Sequence, residues 1–231
     1  MVINAGNEGN AGNEVHTNQP GPLKRNILWV RHGTTLWNVE KKYLGHTDIG
    51  LLPNAKEELA PLHEQLSGVS WNEVYCSDLL RCRQTLEQIL PDAIGQVKFD
   101  SRLRENDFGE WEGLTYEQLK DNLVYRNWID APQEVTPPGG ESWQEFTGRL
   151  DSFLQEMLLE DRPSMHVDEG QVPTMVVVTH GGVIRYALSR LIAGLGFWDT
   201  HVVPGQAIQV QLEQQGNQWF GSRVTFPPIG L

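Results

Sequence analysis

The sequence predicts an α/β sandwich on a mostly parallel central sheet flanked by helices, and three observations predict it. The apolar runs Ile27–Val30 and Thr174–Thr179 read as strands buried on both faces. Apolar residues at helical spacing fill the intervals between strands, an alternation that belongs to parallel sheets covered by helices. Both apolar runs end in a histidine followed by glycine, His32-Gly33 and His180-Gly181.

Taken in order, residues 1–22 repeat Asn-Ala-Gly-Asn-Glu and hold almost nothing apolar, so they are expected to be a disordered tail ahead of a domain over residues 23–231. After the first strand, residues 54–66 place Ala55, Leu59, Leu62 and Leu66 on one helical face, with Pro61 able to kink or shorten the helix. A strand follows at Glu73 to Cys76. Ser77 is a good N-cap for a helix from Asp78 to Leu90, with Leu79, Leu86 and Ile89 on its buried stripe and Pro91 ending it. Val97 to Phe99 is a short strand and Ser101 to Gly113 a polar loop. Helices are expected at Thr115 to Trp128 and at Ser142 to Leu159, joined through the turn Pro137-Pro138-Gly139-Gly140. The second opens on a Ser142/Glu145 capping box. After the second apolar strand come a helix at Val183 to Leu195 and antiparallel strands near Ala207 to Leu212 and Gln218 to Val224.

Composition excludes several functions. With 18 Lys and Arg against 30 Asp and Glu, the formal charge is −12, so there is no chain-wide attraction to nucleic acid or to an anionic membrane. Any bound anion must be held by a few placed cations. No apolar run reaches the roughly 18 to 20 residues that span a bilayer, and the start lacks the basic-then-apolar pattern of a signal peptide. Cys76 and Cys82 lack redox or zinc spacing and read as small core residues. A cytoplasmic protein with reduced thiols is expected.

The strand ends carry the chemistry. Ligands bind beyond the carboxyl ends of strands in open α/β sheets, so His32 and His180 face each other there if their strands are neighbours. Gly33 and Gly181 let the chain turn and bring N–H groups close to a ligand. Arg31 and Arg81 offer planar donor forks that match phosphate oxygens, with Asn38 as an uncharged donor. Glu105 follows the third strand, and a carboxyl beside a bound phosphate is pushed toward its protonated form. The parts define a reaction in which neutral His32 attacks phosphorus, Glu105 protonates the leaving oxygen, and water activated by Glu105 hydrolyses the phosphohistidine. Arg31, Arg81, Asn38 and His180 stabilise the transferring group. The scheme needs no metal and no cofactor, and no metal-ligand spacing such as HExxH is present.

Other readings stand beside these. Arg81 is a site residue or a helix residue paired with Asp78. Glu110 is the alternative proton donor. His46 and Asp48 line the rim or hold a turn. Trp111, Trp128, Trp143 and Trp198 are wall residues for a flat base or members of the core.

The segment Arg31-His32-Gly33-Thr34-Thr35-Leu36-Trp37-Asn38 resembles the signature of the histidine phosphatase superfamily, the phosphoglycerate-mutase-like proteins. Ser77 to Thr85 is similar to that family's arginine motif and Val178 to Gly182 to its second histidine motif. The resemblance runs from about Asn26 to the C-terminus. It implies a three-layer sandwich, His32 as the phosphorylated nucleophile, Arg31, Arg81 and His180 as the phosphate pocket, and Glu105 as proton donor. Thr34 stands where many members have Glu or Gln and is expected at the pocket rim. Tyr43 to Asp48, Asp107 to Tyr116, Pro137 to Ser142, Phe197-Trp198 and Val203-Pro204-Gly205 are similar to the α-ribazole phosphatases of cobalamin biosynthesis. That similarity implies a nucleotide-like phosphomonoester as substrate. A broad-specificity phosphatase, a cofactor-dependent phosphoglycerate mutase and a non-catalytic phospho-ligand binding module are the alternatives, and monomer and homodimer both remain open. The mutase is disfavoured by the short segment after Glu105, which lacks the long insertion such mutases carry.

Overall fold

A computed structural model describes residues 23–158, 172–216 and 218–224; the expected tail at 1–22 lies outside them. A six-stranded sheet forms the middle layer. Its strands are β1 (Lys24–Arg31), β2 (Glu73–Cys76), β3 (Lys98–Phe99), β4 (Thr174–Thr179), β5 (Ala207–Gln215) and β6 (Gln218–Val224), in the order β3-β2-β4-β1-β5-β6. The pairings β2–β3, β2–β4 and β1–β4 are parallel, whereas β1–β5 and β5–β6 are antiparallel. The sheet is therefore mixed and mostly parallel, as the alternation of elements predicts.

The pleat explains the three layers. Ile27, Trp29, Met175 and Val177 turn to one face and pack on α6 (Trp143–Leu158) and α7 (Gly181–Leu191). Leu28, Val30, Val176 and Val178 turn to the other and pack on α2 (Ala55–Leu66) and α3 (Leu80–Ile89). Both faces are dry, and each fully buried Val, Ile or Leu contributes roughly 1.5–3 kcal/mol. The short helices α1 (Leu36–Val39), α4 (Tyr116–Leu119) and α5 (Leu123–Asp130) lie in the loops beyond the sheet.

Four sequence expectations are corrected. Ser77 does not cap α3, which begins at Leu80 behind Leu79; instead Asp48, from a distant loop, accepts the Leu80 N–H at 2.6 Å. The span Thr115 to Trp128 is two helices, because Asn122 accepts the N–H groups of Val124 and Tyr125 and starts α5 afresh. Helix α7 begins at Gly181, directly after His180, and ends at Leu191, ahead of Gly194 at φ +79°. Helix α2 runs through Pro61; the carbonyl freed four residues earlier belongs to exposed Glu57, which water can satisfy. The Ser142/Glu145 capping box forms as expected, Glu145 Oε2 accepting the Ser142 N–H at 2.9 Å and Ser142 Oγ the Glu145 N–H at 3.2 Å.

Because Asp48 provides the side-chain cap of α3, Asp48→Ala is expected to lower unfolding free energy by about 1 kcal/mol, while Asp48→Asn retains most of it. Urea titration of the two variants checks this, and equal losses would contradict the capping role.

Candidate active site

The site grows from the β1–β4 register. Arg31 is opposite Thr179, and the His32 N–H continues the ladder to the Thr179 carbonyl at 2.9 Å. The next side chains beyond both strands are therefore neighbours: the His32 and His180 rings lie 5.2 Å apart, centroid to centroid, tilted by 60°. Both are buried.

The partners of each ring define its chemistry. His32 Nδ1 is 2.8 Å from the Gly33 carbonyl, which can only accept, so the proton resides on Nδ1 and the Nε2 lone pair is left available. Burial, followed by the charges of Arg81 and Arg31, holds its pKa well below the usual histidine value. His180 Nδ1 accepts from Arg81 Nε at 3.3 Å, and its Nε2–H donates to Ser77 Oγ at 3.0 Å. Burial and the charge of Arg81 lower the pKa of His180 in the same way. Both imidazoles are thus neutral.

Arg81 is fully buried and supports a loop as well as a ring. Its Nη1 and Nη2 donate to the carbonyls of Thr47 at 3.0 Å and Gly45 at 2.7 Å. The alternative pairing of Arg81 with Asp78 is ruled out, since Asp78 receives Arg104 at 2.8 and 2.6 Å. Arg31 Nη1 donates to the Val202 carbonyl at 2.6 Å, while its buried Nε has no hydrogen-bond partner among the described residues. A buried donor without a partner in this position suits an anionic ligand.

Glu105 stands at the same edge. Its Oε2 accepts the Gly182 N–H at 2.9 Å in the first turn of α7, and its Oε1 accepts the Asn106 N–H at 3.1 Å. Thr34 and Asn38 are held locally. The Thr34 N–H binds Glu58 at 3.1 Å, and Asn38 Oδ1 takes both the N–H and the hydroxyl of Thr35, leaving only its amide nitrogen to donate. Gly181 passes close to the Arg31 guanidinium, and a Cβ there would lie 3.3 Å from Cζ.

The structure adds two residues, Gly182 and Thr85, to those expected at the site. A Cβ on Gly182 would collide with Glu105 Oε1, a tighter constraint than at Gly181; the doubled glycine after His180 is its sequence signal. Thr85 Oγ1 accepts the Gly33 N–H at 2.9 Å and donates to the Arg81 carbonyl at 2.7 Å, joining the two arms of the site. Cys82 packs against His180 with its thiol pushed up to about 12 by burial. His46 and Asp48 serve structure: His46 Nδ1 meets Asp107 at 3.4 Å and Asp48 caps α3.

Beside Glu105 opens a cavity of about 430 Å³ whose walls include Tyr43, Phe108, Trp128, Trp143, Phe197 and Trp198. Three of the four tryptophans considered as walls line it, and Trp111 instead sits in the core at 2% exposure. Among the described residues no cluster of three or more His, Cys, Asp or Glu side chains is arranged to hold a metal ion, and no helix is long and apolar enough to cross a membrane.

A neutral histidine with an available Nε2, two guanidiniums and a carboxylate, meeting beyond the ends of parallel strands, constitute equipment for phosphoryl transfer. Comparison with known proteins agrees. The family model described as "Histidine phosphatase superfamily (branch 1)" matches residues 27–225, and the chain belongs to that superfamily. The Adenosylcobalamin/alpha-ribazole phosphatase of Escherichia coli (strain K12) is 32% identical over 168 residues, covering 71% of this chain and 78% of that protein. The "Probable phosphoglycerate mutase GpmB" of Salmonella choleraesuis (strain SC-B67) is 29% identical over 200 residues, covering 85% of this chain and 88% of that protein. Among solved structures, the alpha-ribazole phosphatase from Shigella flexneri superposes with a TM-score of 0.73 at 26% identity, over 89% of this chain and 98% of that one. The protein is a phosphatase, a hydrolase of phosphate esters.

Two outcomes follow. Gly182→Ala is expected to displace the Glu105 carboxylate and lower kcat/KM on glycerol phosphate by about 100-fold, the usual effect of a shift near 1 Å. Gly181→Ala should cost far less, and equal losses would contradict this geometry. Both buried histidines bind protons in the unfolded chain at pH values where the folded chain binds none. The stability each contributes is therefore present above the unfolded histidine pKa of about 6.5 and falls as pH drops below it, by about 1 kcal/mol for each histidine between about pH 6.5 and 5.5. Urea titrations at pH 6.5 and 5.5 check the slope, which His32→Ala should roughly halve.

Proposed function

We propose that residues 23–231 form a cytoplasmic, metal-independent phosphomonoesterase that works through a phosphohistidine on His32 and acts on α-ribazole 5′-phosphate or the related adenosylcobalamin 5′-phosphate. The observation that carries the reading is the placement of Glu105, bound to Gly182 at the phosphate end and lining the aromatic cavity at the other. A group there can deliver a proton to an oxygen that bridges phosphorus and the alcohol of a leaving group seated among the aromatic walls.

His32 Nε2 attacks phosphorus as the ester oxygen departs with the proton of Glu105. Water, giving its proton back to Glu105, then attacks the phosphohistidine and releases phosphate with His32 restored. Arg31 and Arg81 neutralise the charge on the transferring oxygens, and the His180 Nε2–H, resting on Ser77, turns to one of them. These donors carry out the work a divalent metal does in other phosphoryl transfers.

The cavity favours a nucleoside-sized leaving group with a flat base, because several aromatic rings line it and its volume of about 430 Å³ lies in the usual small-ligand range. The names of the Escherichia coli and Shigella flexneri relatives, an adenosylcobalamin/alpha-ribazole phosphatase and an alpha-ribazole phosphatase, support this substrate. A phosphoglycerate, small and anionic throughout, gains little from such walls.

His32→Ala is expected to abolish turnover of p-nitrophenyl phosphate and the acid-labile phosphoenzyme, while the wild-type protein survives EDTA and is inhibited by vanadate. A panel of α-ribazole 5′-phosphate, phosphoglycerates, sugar phosphates and a phosphopeptide, compared by kcat/KM, tests the substrate. Trp198, 66% exposed, should lose about tenfold on α-ribazole phosphate when changed to Ala, the typical worth of one base–aromatic stack. Mutase activity with 2,3-bisphosphoglycerate exceeding hydrolysis, or undiminished activity in His32→Ala, would overturn the proposal.

A further inference from the structure

Glu105 lies outside any strand or helix, yet the backbone around it is held by side chains from α6 and β4. The segment from Arg102 to Glu105 presents four successive carbonyls that no sheet ladder receives. The Arg149 guanidinium, projecting from α6, takes three of them: Nη1 donates to Arg102 at 2.6 Å and Arg104 at 2.7 Å, and Nη2 donates to Glu105 at 2.9 Å. The fourth, Leu103, receives the hydroxyl of Thr179 at 2.7 Å, the residue directly before His180.

The fork is itself fixed. Glu141, just before the start of α6, accepts from Arg149 Nε at 2.6 Å and Nη2 at 2.8 Å, and the guanidinium lies 5.0 Å over the Phe146 ring. Both side chains of the ion pair are mostly buried, at 17% and 12% exposure, where an arginine–carboxylate fork keeps its geometry. Glu141 also lines the aromatic cavity and its Oε2 accepts the Asp107 N–H at 3.4 Å.

We infer that Arg149, oriented by Glu141, is a positioning residue for proton transfer: it aims the Glu105 carboxyl at the leaving oxygen. The inference rests on the reading of Glu105 as the proton donor. A planar fork bridging three carbonyls sets the path of the strap, and the Gly182 and Asn106 N–H groups then set the carboxylate on it. Loss of the fork leaves the histidine pair and both site arginines in place while the carboxyl drifts. Such drift matters only when the leaving group needs a proton.

The test is a leaving-group series read as kcat/KM, which reports the chemistry up to departure of the alcohol. Glycerol phosphate needs the acid, p-nitrophenyl phosphate needs it less, and 2,4-dinitrophenyl phosphate least. Glu105→Gln should lose about 100-fold or more on glycerol phosphate and far less on the dinitrophenyl ester. Arg149→Ala should reproduce that slope, with a loss of about 100-fold on glycerol phosphate and a small one on the dinitrophenyl ester. Arg149→Lys, which keeps the charge but not the fork, should stay defective, and Glu141→Gln should show a weaker form of the same slope. Should Arg149→Ala fail to fold by circular dichroism, the Lys and Gln variants decide. A uniform loss across the three esters in the Arg149 variants, or wild-type behaviour of Arg149→Lys, overturns the positioning role while the slope of Glu105→Gln preserves Glu105 as the acid. Absence of that slope in Glu105→Gln overturns the underlying reading instead.

Discussion

The parallel pairing of β1 with β4 is the constraint on which the rest of the site depends. Each strand delivers one histidine at its carboxyl end, and the register that sets Arg31 opposite Thr179 leaves no freedom in how the two rings meet. A slip of one residue would turn His32 or His180 to the opposite face of the sheet and carry the buried stripes of Ile27 and Trp29 with it. Hydrophobic burial and the geometry of the two imidazoles are thus enforced by the same register.

Placing two guanidiniums beside two neutral imidazoles, away from water, is unfavourable unless every donor finds an acceptor. For Arg81 the molecule meets this with a relay of backbone bonds, whereas the Arg31 Nε is left without a partner among the described residues. The Glu112 carboxylate accepts the N–H groups of His46 and Thr47 at 2.7 Å each, and of Phe108 at 3.2 Å. Burial alone would raise its pKa, but these bonds, with the Thr47 hydroxyl, outweigh it and hold Glu112 below the usual carboxylate range. The loop so fixed turns its Gly45 and Thr47 carbonyls onto Arg81, which in turn orients His180. A carboxylate remote from the reaction therefore reaches the second histidine through one loop and one arginine. Part of the acidity behind the net charge of −12 serves to build the cationic centre.

How much of this was legible in the sequence depended on distance along the chain. Strand ends carrying His32 and His180, the helix face of Ala55, Leu59, Leu62 and Leu66, and the capping box at Ser142 depend on neighbours a few residues apart, and all were readable. Ser77 reads as a cap because a serine before a helix is a good one in isolation. Here its hydroxyl is claimed by His180, 103 residues away, and Asp48 takes over the helix end. Asn122 broke an expected helix because its side chain competes with the backbone for the N–H groups of Val124 and Tyr125. Arg149 gave no local signal, since its partners at Arg102, Arg104 and Glu105 lie 44 to 47 residues upstream.

The same separation divides labour within the site. The phosphate end is set by the sheet: rigid, polar and buried, it is built around strand ends that the core fixes. The aromatic cavity, which the proposed function assigns to the leaving group, is lined by loop residues and by residues of α5, α6 and α7 that lie beyond the strand ends. Changes in those elements can alter the alcohol recognised without disturbing the histidine pair. The chain is similar both to a protein named as a phosphatase, at 32% identity, and to one named as a probable phosphoglycerate mutase, at 29%. Under the proposed function, overall likeness bears on the chemistry at phosphorus and the aromatic cavity on the substrate. Glu105 is the residue where the two must agree, because it is tied to the sheet edge through Gly182 and to α6 through Arg149.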